Sequence, residues 1–331
     1  MGVDGRERRA PQPSGVTGGP DLRVEIAGLS LKNPVMVASG TFGYGREYSE
    51  CFDIGALGAV MVKGVSLEPW RGNDVPRIVE TPAGMLNAIG LQNPGVDHYV
   101  KYDLPFLRRF DTRVIVNVVG RTVEEYREVV RRLEACDGGD AYEINISCPN
   151  IKEGGIAFGT DPAMAARVVE AVRSVTERPV IPKLSPNVTD PAAIARACER
   201  AGADALSAVN TFLGMAIDVE RERPVLANGA GGLSGPAIRP LAVRIVWDVF
   251  RAVRLPIIGM GGIATARDAL EFVLAGASAV AVGTANFFNP QAPLEVLAGI
   301  EAHLVRRGVP AFRQLIGRAH RQADLKERDD A

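Results

Sequence analysis

Ala141-Tyr-Glu-Ile-Asn-Ile-Ser-Cys-Pro-Asn150 is the stretch on which the reading of this 331-residue chain turns. It begins as a short buried strand, which Pro149 breaks, and continues into a glycine-bearing loop, 151–160. With strand alternation, Glu143, Asn145 and Ser147 share one face. The proline holds Cys148 extended and keeps it from starting a helix. A cysteine in such a place is more often a small buried apolar residue than a reactive one. What Cys148 does therefore depends on what else the chain brings to this strand end.

Seven further apolar, β-branched runs bounded by Gly or Asn accompany it. The full set is 35–39, 59–63, 114–119, 141–147, 180–185, 205–210, 256–260 and 279–282. Helix-period segments separate most of them, at 122–136, 161–176, 190–201, 236–252, 264–275 and 293–305. Strand–helix alternation demands right-handed parallel crossovers. Eight such units in roughly 250 residues is the size of a closed α/β barrel, the (β/α)8 or TIM barrel. A doubly wound open sheet is the alternative, but no GxGxxG opens the first unit. A small N-terminal hairpin precedes the barrel at 24–32. Two long glycine- and proline-punctuated connections, 66–94 after the second strand and 212–234 after the sixth, are expected to build a roof. The domain reading is a disordered leader over 1–22, the barrel over 23–318 and a charged tail over 319–331.

Composition narrows the function classes. A formal net charge of -1 gives no basic field for nucleic acid or an anionic membrane. Four separated cysteines (Cys51, Cys136, Cys148, Cys198) form no CxxC pair, so neither a disulfide framework nor a metal or iron–sulfur site is expected on this chain. His98, His303 and His320 lie away from strand ends and read as helix-surface residues. No apolar run has the length of a membrane span, and the start lacks a signal-peptide core. The expectation is a cytoplasmic, reduced, soluble protein.

Five consecutive strands finish in Lys63, Asn117, Asn145, Lys183 and Asn210, at the end where barrel active sites sit. Amide side chains offer donor and acceptor together, matching a cyclic imide or urea edge. The lysines add point charges for a carboxylate or anionic ring. Strands seven and eight end instead in Gly259-Met-Gly-Gly262 and Gly283-Thr284, each just before a helix, with Gly231-Gly-Leu-Ser-Gly235 as a third such run. Singly these glycines read as tight turns; together they mark the corner where such barrels hold phosphate. An amide ring plus a phosphate corner describes FMN better than a sugar phosphate. Glu143, deeper on the same face as Asn145, needs a buried partner, and a barrel lysine is the expected one.

The chain resembles the class 1 dihydroorotate dehydrogenases, specifically the class 1B catalytic subunit. The resemblance runs from about Val24 to Pro290. It is carried by Leu31-Lys-Asn-Pro-Val-Met-Val-Ala-Ser-Gly-Thr-Phe-Gly43, Gly84-Met-Leu-Asn-Ala-Ile-Gly-Leu-Gln-Asn-Pro-Gly95 and Asn145-Ile-Ser-Cys-Pro-Asn150. It continues in Lys183-Leu-Ser-Pro-Asn-Val-Thr-Asp190, Leu226-Ala-Asn228, Gly231-Gly-Leu-Ser-Gly-Pro236 and Ile258-Gly-Met-Gly-Gly262. It implies an FMN-binding barrel that oxidises dihydroorotate to orotate in pyrimidine synthesis. It implies flavin contacts at Ser39, Lys63, Gly64, Asn117, Asn145, Lys183 and Val209, and phosphate contacts at Gly235, Gly261, Gly262, Gly283 and Thr284. The pyrimidine would meet Lys63, Asn87, Ala88, Ile89, Gly90, Leu91, Asn145, Asn210 and Thr211, with Cys148 as base and 151–160 as a lid. Class 1A relatives, which use fumarate, typically carry proline where this chain has Gln92. Class 1B implies a homodimer joined by a second subunit that holds FAD and a 2Fe–2S cluster and reduces NAD, a heterotetramer. The rival readings are a class 1A-like enzyme, a dihydrouridine synthase, a dihydropyrimidine dehydrogenase domain and a non-redox sugar-phosphate barrel.

Overall fold

The computed structural model describes residues 19–146 and 155–321, and Cys148 lies outside them. Eight parallel strands form the barrel: β1 (Val35–Val37), β2 (Ala59–Val65), β3 (Arg113–Val118), β4 (Ala141–Ile144), β5 (Val180–Pro182), β6 (Leu206–Ala208), β7 (Ile257–Met260) and β8 (Ala279–Val282). Their pairing order is β6-β7-β8-β1-β2-β3-β4-β5, and a single parallel bridge, Lys183↔Ser207, joins the two ends. β2 and β3 share five register pairs by contrast. Most strand positions are buried, as helices on the outside and packed side chains within require. That dual burial is why the strands read as continuous apolar runs.

The helices between strands start where their sequences say they should. Thr122, Asp161, Asp190 and Thr265 each accept a backbone N–H of the first turn, the last within a reciprocal capping box with Asp268. Pro162 and Pro191 follow two of those caps, where a missing N–H is harmless.

Two antiparallel attachments close the ends. At the floor, Val24–Ile26 pairs with Leu29–Leu31 through a turn in which Ala27 and Gly28 both have positive φ. Its alternate residues Val24, Ile26, Leu29 and Leu31 enter the core, and Arg113, which opens β3, donates to Ser30 O. At the roof, Ile78–Thr81 and Gly84–Asn87 combine with Phe212–Met215 and Ala230–Ser234 into one four-stranded sheet. The roof thus comes from the two long connections expected to supply it.

Several local expectations change. Ser39 starts a short helix, Ser39–Phe42, because the last ladder bond runs from Ala38 N to Val282 O where β8 ends. Of the run 151–160, Gly155–Thr160 is helical rather than loop. Asp21 bridges to Ala311 and pairs with Arg313. His320 is not a free surface residue: its ring stacks on Trp247 at 3.5 Å and bonds Ala275 O.

Candidate active site

A cavity of about 360 Å3 opens at the C-terminal ends of the strands, beneath the roof. Its base is a layer of fully desolvated polar groups. Glu143, 0% exposed on β4, accepts from Asn117 Nδ2 at 2.6 Å and from Ser207 Oγ at 2.7 Å. Lys183 Nζ lies 3.6 Å from the same carboxylate. This is the lysine partner expected from the sequence, and two hydrogen bonds complete it, as a buried ion pair needs. These bonds tie β3, β5 and β6 to β4.

Above Glu143 stand the amides. Asn145 Nδ2 faces Asn117 Oδ1 and Asn210 Nδ2 faces Asn145 Oδ1, each at 3.5 Å, while Asn210 Oδ1 accepts from Thr211 N at 2.8 Å. Lys183 Nζ also reaches Ser39 Oγ at 3.5 Å. Across the cavity, Lys63 forms no ion pair among the described residues. Burial, reinforced by the neighbouring Arg77 charge, pulls its pKa below the usual lysine value. A desolvated ammonium beside a second cation is stabilised by an incoming anion.

The glycine corner forms the far end of the same cavity, lined by Ser234, Gly235, Gly261, Gly262, Gly283 and Thr284. Thr284 Oγ1 donates to Ser234 Oγ at 2.8 Å. Gly262 has φ +80, and a Cβ there would stand 2.8 Å from Gly235 O, so two backbones meet where no side chain fits. The helix Arg239–Ala252 follows through the turn Pro236–Ile238. The Arg239 side chain is engaged away from the corner by Asp268 and Glu271.

The structure gathers Ser39, Lys63, Gly64, Asn117, Asn145, Lys183, Val209, Asn210 and Thr211 around this one space, together with Asn87, Ile89 and Leu91 from the roof. Ala88 and Gly90 do not reach it. Along 87–91 alternate residues face inward, while Ala88 is fully buried and Gly90 backs against Asn73. The sequence reading missed Ala38, Gly40 and Thr41, which extend the Ser39 contact along the same motif, and the apolar wall of Ile78, Met85, Ile238 and Met260. It also missed Phe287, 54% exposed at the rim, whose only signal was its place three residues after Thr284. Among the described residues no cluster of three or more His, Cys, Asp or Glu could hold a metal. No helix among them is long and apolar enough to cross a membrane.

A cationic, amide-lined cavity on the C-terminal face of a (β/α)8 barrel defines an enzyme of the barrel class. The model of the dihydroorotate dehydrogenase family matches residues 21–304, and the chain belongs to that family. Relatives named "Dihydroorotate dehydrogenase B (NAD(+)), catalytic subunit" are 59% identical over 298 residues in Geotalea daltonii and 60% identical over 298 residues in Desulforudis audaxviator. A third, from Alkaliphilus metalliredigens, is 56% identical over 297 residues. Each alignment covers 90% of this chain, and 98%, 97% and 98% of the relative respectively. The chain is thus an oxidoreductase that oxidises dihydroorotate to orotate in pyrimidine synthesis, and its family is flavin-dependent.

Proposed function

We propose that the flavin is FMN, that it lies along the cavity from Lys63 to the glycine corner, and that dihydroorotate docks between it and the roof. The observation that carries this reading is that every residue expected around the flavin lines a single cavity. The donor set fits the group. Glycine N–H groups and Thr284 at a helix start suit a phosphate. Gly40 has open space where a Cβ would stand, which leaves room for a flat ring. Lys183 supplies a charge for an anionic ring edge. When bound, FMN would supply a hydride acceptor.

The chain's own residues would then do the following. Lys63 neutralises the substrate carboxylate. Asn87, Asn145, Asn210 and Thr211 read the ring's amide edge and fix the hydride-donating carbon at reacting distance. Cys148 takes the C5 proton as a thiolate, from the face away from the flavin. The segment 151–160 excludes water as a lid. The relatives' names support a catalytic subunit that works with a partner. We extend this to an FAD- and 2Fe–2S-bearing subunit that reduces NAD, in a heterotetramer built on a homodimer in the cytoplasm. Phe287 and the 65% exposed Phe288 offer that partner an apolar rim beside the cavity. The division into leader 1–22, barrel 23–318 and tail 319–331 belongs to the same proposal.

The experiment is anaerobic addition of dihydroorotate to the purified chain loaded with FMN. Bleaching of the flavin absorbance with stoichiometric orotate is expected. A chain that takes up no FMN, or a yellow one that does not bleach, would overturn the reading.

A further inference from the structure

Glu143 does not line the cavity, yet it stands at the head of a chain of amides that do. As a carboxylate it can only accept hydrogen bonds, so Asn117 must turn its Nδ2 toward it, which the 2.6 Å contact shows. An amide that commits its nitrogen on one side presents its oxygen on the other. Asn117 Oδ1 therefore faces Asn145 Nδ2, Asn145 Oδ1 faces Asn210 Nδ2, and Asn210 Oδ1 receives Thr211 N. The carboxylate, which can only accept, fixes the inner end of this order, and the Thr211 backbone N–H, which can only donate, fixes the outer end at 2.8 Å, so both ends impose one polarity on the row. At the same time Glu143 stands 3.6 Å from Lys183 and offsets the charge of that ammonium.

We propose that Glu143 is a positioning residue that sets the inner end of this relay, holding Asn117 with its oxygen toward Asn145 in the polarity that Thr211 requires at the outer end, and that tempers the charge Lys183 shows to the flavin. A cyclic imide or urea edge alternates donors and acceptors, so an amide turned by 180° replaces a hydrogen bond with a repulsion. This rests on the flavin and pyrimidine assignment above. It assigns Glu143 a purpose beyond neutralising a lysine.

The relay has a specific test in which the two ends of the first bond are exchanged. In Glu143→Gln, Lys183 and Ser207 hold the new amide by its oxygen, so its nitrogen faces Asn117 and turns that amide against the order Thr211 imposes from the other end. Adding Asn117→Asp restores an obligate acceptor. That carboxylate takes one hydrogen bond from the introduced glutamine amide and the next from Asn145, so the polarity beyond it returns. Orotate affinity is read from the change in the flavin spectrum, and the flavin midpoint potential is measured on the same FMN-loaded proteins. Glu143→Gln is expected to weaken orotate at least tenfold while FMN stays bound, and to move the potential positive because the Lys183 charge is no longer offset. The double variant is expected to recover orotate affinity to within about threefold of the parent and to bring the potential back. Parent-like affinity and potential in Glu143→Gln would overturn the relay. So would a double variant as impaired as the single one, because a merely structural residue is not rescued by exchanging polarity. If Glu143→Gln alone yields no soluble flavoprotein, the double variant, which keeps one carboxylate in the layer, decides. Failure of the parent to bind orotate strikes the functional reading instead, while the potential still tests the relay.

Discussion

The two ends of this barrel are closed by similar pieces of chain that behave differently. At the floor a three-plus-three hairpin puts every second residue into the core: Val24, Ile26, Leu29 and Leu31 are buried. At the roof the outer strands Ile78–Thr81 and Phe212–Met215 alternate between half-buried and exposed, and Leu213, Met215 and Ile78 remain 55%, 56% and 50% exposed. The floor is held by apolar burial, which scales with the area removed from water. The roof is held by its own backbone pairing and by a small apolar cluster of Leu86, Ala88 and Leu226 with Val79, Ala216 and Leu233 against it, and its remaining inward residues face the cavity. One end therefore contributes stability and the other shapes a ligand site, with the side chains on the strand ends between them.

Substitutions at either end test that contrast. The largest effect is expected at the site. Cys148→Ala should keep FMN bound yet slow flavin reduction by dihydroorotate by about 100-fold or more in anaerobic stopped flow, and an unchanged rate would remove Cys148 from the chemistry. Next comes the floor: Ile26→Ala should cost about 2–5 kcal/mol in denaturant unfolding and leave orotate affinity alone. A floor variant that lost affinity at full stability would abolish the division of labour. Lys63→Met should weaken orotate about tenfold with little change in midpoint of unfolding. In the parent, orotate affinity should fall as pH rises through the lowered Lys63 pKa, beneath the 10.5 of an unperturbed lysine. The stability contribution of Lys63 has the opposite sign. Its folded pKa lies below its unfolded one, so folding releases a proton in the window between them and is favoured as pH rises there. A flat alkaline binding profile would count against Lys63 as the anion partner. The smallest effect belongs to the roof's outer face: Met215→Ser should shift stability by no more than about 0.5 kcal/mol, and a larger loss would mean that this face is covered in the assembled enzyme.

Much of this organisation is legible in the residues themselves. The eight strands, the helices between them and both roof segments follow from periodicity and punctuating glycines and prolines. So does the row of Lys63, Asn117, Asn145, Lys183 and Asn210, because successive barrel strands deliver their last polar residues to one face. What could not be read depends on neighbours distant in sequence. Ser39 reads as a strand end because β-branching continues to Val37, whereas its helix depends on where β8 stops. The turn 87–91 reads as five equivalent contacts, and only the packing against Asn73 turns Gly90 away. The apolar wall of Ile78 and Met85 carries no chemical signature. The amide polarity is invisible in sequence, because an asparagine has no preferred edge until a carboxylate 26 residues away imposes one.

The single bridge between β5 and β6 has a mechanical consequence. A cylinder rolled from a sheet has a seam, and here the seam carries one ladder pair, Lys183↔Ser207, with backbone hydrogen bonds from Asp204 N to Val180 O, Leu184 N to Ser207 O and Asn210 N to Leu184 O. The side chains of those two residues both converge on Glu143, so the join is buttoned from inside the bore by one carboxylate. The backbone along that line is the part of the barrel whose amide protons would report, by the speed of their exchange with solvent, whether the button is fastened.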